Sequence, residues 1–169
     1  MFARTSRLTL RPGWPEDAPA LAVAIAHESV AFRLARLPWP YTLAHAEDWL
    51  RRPAEPRQHP LLIFAHDRGA LPELVGGTGL HDAEDGLEIG YWLTPSAWGR
   101  GYATEAGRAT VAMARHALGQ RRLTAYHHAD NPASGRVLRK LGFQETGTAR
   151  RHSLARGAEV DSVTYVLTL

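Results

Sequence analysis

The 169-residue chain has no cysteine and one lysine, Lys140. The first absence removes a disulfide framework, a cysteine nucleophile and a thiolate metal site together. The second removes a Walker A loop, whose Gly-Lys-Ser/Thr ending has no counterpart near the glycine-rich segment around residue 100. No apolar stretch approaches the roughly 18 residues of a membrane span. The N-terminal MFARTSRLTLRP lacks an apolar core of signal-peptide length, so a cytoplasmic protein without a membrane partner is the default expectation. Internal repeats and low-complexity tails are also missing. The length suits one domain, 1–169, able to bury a core without staples.

The excess charge is small, +3, and the basic residues are nearly all arginine, in pairs such as Arg51-Arg52, Arg121-Arg122 and Arg150-Arg151. A nucleic-acid binder would show a basic stripe with interleaved aromatics, so no nucleic acid is expected as partner. The sequence pI of about 9.7 fits an anionic small ligand.

What is present is concentrated in residues 87–118. Leu87, Ile89, Tyr91 and Leu93 alternate with Glu88, Gly90 and Trp92, the period of a strand with one apolar face. Thr94-Pro95 ends it, since Pro95 cannot donate to a ladder. Trp98-Gly99-Arg100-Gly101-Tyr102-Ala103-Thr104 follows, with two glycines free to take positive φ, and from Tyr102 onward Ala103, Ala106, Thr110, Met113 and Ala117 recur at helical steps. A turn of this kind at a helix start offers unpaired amides and a positive dipole end to a phosphate or pyrophosphate. The same glycines also serve a tight strand-to-helix connection by geometry alone. A Rossmann fingerprint fits poorly, because Thr104 stands where the third glycine belongs and the unit begins past the middle of the chain.

Elsewhere, Leu8–Arg11 reads as a first strand. Residues 16–36 are helical with a break near His27–Ser29, as one helix or two. Pro38-Trp39-Pro40-Tyr41 is a loop, and Thr42 caps a helix over 43–51. Leu61–Ala65, Leu74–Leu80 and the 87–93 strand are joined by short turns at Asp67-Arg68-Gly69 and Asp85-Gly86, an antiparallel meander. Leu123–His128 is a strand. Asn131-Pro132 opens a helix that Gly142 closes, and Phe143–Thr148 and Glu159–Leu169 form a last strand pair. The order is β-α-α-β-β-β-α-β-α-β-β, an α/β fold with a mixed, mostly antiparallel sheet flanked by helices.

Two segments, GYWLTPSAWGRGYATEA within Leu87–Ala106 and NPASGRVLRKLGFQETG over Asn131–Gly147, together resemble the GNAT superfamily of acetyl-CoA-dependent N-acetyltransferases. The resemblance runs from about Thr5 to Leu169 and is nearest to the branch of ribosomal-protein N-terminal (Rim-type) acetyltransferases. It implies acetyl-CoA as co-substrate and an amine acceptor, most directly a protein N-terminal α-amino group. A small amine, an aminoglycoside or an amino acid is the alternative acceptor, and a silent acyl-CoA-binding module the alternative function. A homodimer is compatible with it. The family's Gln/Arg-x-x-Gly-x-Gly/Ala falls on Trp98, Gly99, Arg100, Gly101, Tyr102 and Ala103, with Trp98 replacing the usual polar residue. Anion contacts are then implied from the backbone of about Gly99 to Thr104, and pantetheine pairing near Trp92 and Leu93, where the strand splays from Leu123–His128. The amide near Leu93 is a candidate to polarise the thioester carbonyl.

Asn131 and Ser134 match the family's Asn-x-x-Ser, with Asn131 on the cofactor and Ser134 near its sulfur; an N-cap followed by a small residue is the plainer reading. Ser134 is thereby the candidate to donate to the departing thiolate. Glu88 is the candidate base, or alternatively an ion-paired residue on the strand's polar side; His81, His127 and His128 are further candidates. His127 and His128 point to opposite strand faces and do not jointly hold one metal, and no metal is required. A lysine-like amine costs about 4.6 kcal/mol to deprotonate at pH 7, an α-amine only about 1.1, so an N-terminal acceptor needs less help from a base. Without a cysteine carrier, direct transfer in a ternary complex is expected.

Overall fold

The computed structural model describes residues 1–53, 55–83 and 86–169. Its sheet has eight strands in the order β1-β2-β3-β4-β5-β6-β8-β7. These are β1 (Ala3–Arg4), β2 (Leu8–Arg11), β3 (His59–Ala65), β4 (Glu73–Ala83), β5 (Gly86–Leu93), β6 (Arg122–His128), β7 (Gln144–Ser153) and β8 (Ala158–Thr168). All neighbours are antiparallel except β5 and β6. Two-residue β1 has no periodic signal of its own and adds one strand to the expected order. The expected Asp85-Gly86 turn lies, at Asp85, outside the described residues.

Among the described residues five α-helices cover the sheet: α1 (Ala18–Ile25), α2 (Glu28–Ala31), α3 (Leu43–Arg51), α4 (Tyr102–His116) and α5 (Pro132–Lys140). The break in the first helical pattern falls at Ala26 and His27, which leave helical angles, so the expected early pair becomes three pieces. Thr42 caps α3 as its position predicts, its hydroxyl accepting from the His45 amide.

Alternation decides which helix sits where. On one face Leu8, Leu10, Ile63, Leu93 and, farther along the sheet, Leu80, Ile89 and Leu123 pack beneath α4 and α5. On the other, Leu62, Phe64, Leu74 and Trp92 meet α1, α2 and α3. Burying these rows stabilises the fold by roughly 1.5–3 kcal/mol per large aliphatic side chain, an upper estimate for each. Central β4 carries Gly76, Gly77 and Gly79 because its neighbours come close. A Cβ on Gly77 would strike the Trp92 indole, and one on Gly76 the Trp92 carbonyl.

The sheet is interrupted in one place. β5 and β6 run parallel and pair only at Leu87–Leu123 and Glu88–Thr124. Beyond that point β6 stays paired with β8 through His128–Ser162, and β5 stays with β4 through Leu93–Gly76. The two strands therefore part, as the sequence reading expected, and leave a gap in mid-sheet.

Candidate active site

The turn after β5 stands at the wide end of this gap. Pro95–Ala97 form a 3-10 turn, the Trp98 amide donates to Pro95 O, and Gly99 and Gly101 take φ of 75° and 82°. L side chains resist such angles, so glycine is required at both positions. Gly101 is the N-cap of α4 and has no side chain to satisfy the helix start; the first helical bond is Glu105 N–H to Gly101 O. Among the described residues, the backbone N–H groups of Gly99, Arg100, Gly101, Tyr102, Ala103 and Thr104 donate to no protein acceptor. Six unpaired amides at the positive end of a fifteen-residue helix can take up a diphosphate. A Cβ on Gly99 would meet nothing within 4 Å, so the concavity is open to a ligand.

The turn is braced from below. Arg7 donates to Arg100 O at 3.0 Å and grips Glu105 with Nε at 2.8 Å and a second nitrogen at 2.7 Å. Glu105 also accepts from Thr5 Oγ1, Ser6 Oγ and the Arg7 amide. Burial pushes its carboxyl pKa up, but these hydrogen bonds outweigh that and hold it below the ordinary value. Its charge is thus satisfied by β1–β2 residues, away from the amides that must receive an anion. Tyr102 is wholly buried, with its hydroxyl on Asp67 at 2.5 Å.

Backbone alternation orients the end of β5. The Thr94 amide donates to Val75 O at 2.9 Å, so the next opposed pair, Gly76–Leu93, is a non-hydrogen-bonded one. The amide and carbonyl of Leu93, and by the same alternation those of Tyr91, turn toward the gap, whereas those of Trp92 face β4. Trp98 has a role here that its position in the motif did not reveal. Its indole N–H donates to Leu93 O at 2.9 Å, and the Arg33 guanidinium lies 4.7 Å above its ring.

On the α5 side, Asn131 occupies the N-cap position but its side chain makes no cap bond, contrary to the plain capping role; Pro132 at the first turn has no amide to cap. The Ser134 hydroxyl lies 2.8 Å from the Tyr91 hydroxyl, which also reaches Ser134 O at 3.1 Å. Burial pushes the Tyr91 phenol up to about 12, so it stays protonated. Sequence reasoning placed Tyr91 among core residues because it shares the row of Leu87, Ile89 and Leu93. The available signal was its hydroxyl, which a buried position obliges to find a partner.

On the opposite face, Glu88 sits half-buried beside His81, its partner in the β4–β5 register, and Tyr126 lies two residues beyond its β6 partner Thr124. Burial raises the Glu88 carboxyl above the ordinary value, against the opposing pull of Arg151 and Arg36. His81 is held below its usual value by burial and by Arg36. The other two histidines are occupied structurally. His127 bridges His128 O and the Tyr165 hydroxyl, and the His128 ring holds Phe32 O at 3.0 Å, fixing the end of α2. Glu88 and Ser134 thus flank the gap from its two faces. A recess of about 230 Å³ between α2 and the β6–α5 turn, lined by Glu28, Ser29, Phe32, Arg33, Asp130 and Arg156, opens at the same end.

Residues 7–144 match the family described as acetyltransferase (GNAT) domain. The chain is 31% identical over 165 residues to YoaA, an uncharacterized N-acetyltransferase of Bacillus subtilis, covering 95% of this chain and 93% of that one. In structure it is similar to RimL, a ribosomal L7/L12 alpha-N-protein acetyltransferase solved with coenzyme A, at a TM-score of 0.83 and 20% identity over 100% of this chain and 98% of that one. It is also similar to the microcin C7 self immunity acetyltransferase MccE, solved with acetyl-CoA and AMP, at 0.77 and 17% over 98% and 94%. At these identities the two structural likenesses are likenesses of fold.

Proposed function

We propose, from the premise that the chain belongs to the GNAT acetyltransferase family, that this N-acetyltransferase moves an acetyl group from acetyl-CoA to a protein N-terminal α-amino group. The observation that carries the reading is the parting of β5 and β6 after Glu88–Thr124, directly before six unpaired amides. No other interruption of the sheet among the described residues adjoins such a helix start. The residues fit the co-substrate: Gly99 to Thr104 would hold the diphosphate, and the backbone of Leu93 would pair with the pantetheine arm. Asn131, free of a capping bond, would reach the same arm.

When bound, acetyl-CoA supplies the activated acyl carbon and a thiol leaving group. The chain's own residues order the reaction around it. Glu88, with its carboxyl held above the usual range, accepts the proton that the attacking amine must lose, directly or through water. The amine forms the new C–N bond as the C–S bond breaks. The Ser134 hydroxyl, held 2.8 Å from the Tyr91 hydroxyl, would hydrogen-bond to the departing sulfur without giving up its proton, and coenzyme A leaves as the thiolate, which takes its proton from solvent. A thiol near the cysteine-like pKa of about 8.5 is already a fair leaving group, so the serine contributes modestly. The Leu93 amide is placed to polarise the acyl oxygen. Trp98 covers Leu93 O, so arm and indole compete for that acceptor.

The test is an acceptor screen of N-terminal peptides and small amines, read as release of coenzyme A thiol. Peptides with a free α-amine should turn over. Thiol release with small amines only would discard the N-terminal acceptor, and a failure of every amine to release thiol would reduce the protein to an acyl-CoA-binding module.

A further inference from the structure

The charges beside Glu88 do not balance. Most arginines with a structural task have a carboxylate partner: Arg7 has Glu105, Arg11 has Asp17, Arg68 has Glu73 and Arg156 has Asp130. Arg36 and Arg151 do not close an ion pair among the described residues. They come from distant parts of the chain and are brought together by the fold. The Leu154 amide donates to Ala35 O at 2.8 Å, which pins the residue before Arg36 against the end of β7. Arg151 lies over the Tyr126 ring at 5.0 Å, on the sheet face that carries Glu88 and His81. Both guanidinium groups are close enough to act on Glu88, and both also act on Tyr126. Two cations from separate parts of the chain therefore lie on the face of the sheet that carries this one carboxylate.

This arrangement is unfavourable for a simple amine. An ammonium ion approaching Glu88 meets two like charges, a cost that nothing on a plain alkylamine offsets. An acceptor that also carries an oxyanion reverses the sign, since a guanidinium fork matches a carboxylate. Resting on the acetyltransfer reading above, we infer that the acceptor of this enzyme bears a carboxylate within a few bonds of its amine, with the carboxylate held by Arg36 and Arg151 while the amine faces Glu88. The geometry makes both arginines specificity-determining residues. The carboxylate is either an acidic side chain next to a peptide N-terminus or the free carboxylate of an amino acid.

The experiment uses the full chain, saturating acetyl-CoA and matched acceptors that differ only in charge. One pair is a peptide with Ser-Asp against Ser-Asn after a free N-terminus; the other is an amino acid against its carboxamide. The carboxylate member of at least one pair should be preferred in kcat/KM by about tenfold or more, chiefly through KM, as charge-assisted contacts at an exposed rim provide. Which pair responds identifies the source. Arg36→Gln with Arg151→Gln should bring the ratio toward one, and Arg151→Glu should favour the carboxamide. Both positions are exposed, and thermal melts verify that the variants fold. Equal turnover within both pairs, or a preference that survives the double variant, overturns this inference and leaves the acetyltransfer reading intact. Absence of thiol release with every acceptor of either charge overturns both.

Discussion

The two sides of the β5–β6 gap are built on opposite principles. On the turn side the charges that brace the turn from below have partners: Arg7 with Glu105, Arg68 with Glu73, and Asp67 with the Tyr102 hydroxyl. What that turn offers a ligand is chiefly neutral, a row of unpaired backbone amides at a helix start. On the opposite side Glu88 is half-buried and closes no ion pair among the described residues, although Arg36 and Arg151 both act on its carboxyl. A preorganised array of dipoles receives one invariant ligand at little reorganisation cost. An open charge cluster on loops and strand ends is the part that choosing an acceptor requires.

Substitutions that blur this contrast should differ in size. The largest effect is expected from Gly101→Val, which forces a branched residue to φ of 82° where the anion meets the backbone. Acetyl-CoA affinity should fall by about a hundredfold or more, while the strain itself costs only about 1–2 kcal/mol of stability. Calorimetric titration beside a thermal melt separates the two. Normal affinity in the folded variant would move the anion site elsewhere.

Ser134→Ala comes next. Its turnover should drop about tenfold to a hundredfold with the acetyl-CoA KM little changed, if the hydroxyl acts on the departing sulfur as proposed and binding rests on the backbone. A Tyr91→Phe protein should share part of that loss, because the serine rotor would lose its partner at 2.8 Å. Steady-state kinetics on both proteins checks it, and an unchanged kcat in Ser134→Ala would make the serine a packing residue.

Glu88→Gln should be milder with an α-amine, less than about tenfold at pH 7, because only about 1.1 kcal/mol of deprotonation is at stake. A base must be ionised to act, and burial raises this one. The rate of the parent protein should therefore rise with pH through a value above the ordinary 4.5, and the substitution should remove that limb. A limb that persists in the Gln protein assigns the titration to another group.

The smallest effect on activity is expected on the braced side. Arg7→Met should raise the acetyl-CoA KM several-fold by loosening the Arg100 carbonyl. It should also cost about 1 kcal/mol of stability, a figure held down by the solvent exposure of Arg7. The folded pKa of Glu105 lies below its unfolded value. Its contribution to stability is therefore present above pH 4.5 and lost as pH falls through the depressed value. Glu105→Gln should flatten that acid limb in denaturant melts.

The strand–turn–helix unit was legible because its signals are local. Alternation from Leu87 to Leu93, two glycines and a helical period from Tyr102 lie within one short stretch, and the structure returns β5, the turn and α4 where they were expected. The α5 boundaries followed from Pro132 and Gly142 for the same reason. Tyr91 was hidden because periodicity assigns a residue to a face and says nothing of its hydroxyl. The Trp98 bond to Leu93 O depends on how a turn folds back over its own strand. Arg7, Arg36 and Arg151 were invisible for a further reason: the groups each acts on lie in other elements of the fold, and no sequence pattern couples such positions without knowledge of which strands adjoin. Short β1 falls below the length at which any period can be read, whereas the helical break read near His27–Ser29 lies at Ala26 and His27.

The central claim is that the gap holds acetyl-CoA and amine together for one direct transfer. Initial-rate measurements of thiol release, with an N-terminal peptide varied at several fixed acetyl-CoA concentrations, test it most directly. Intersecting double-reciprocal lines are predicted, with no acetyl adduct by mass spectrometry after exposure to acetyl-CoA alone. Parallel lines, together with an acetylated protein that passes its acetyl group to added peptide, would contradict the account.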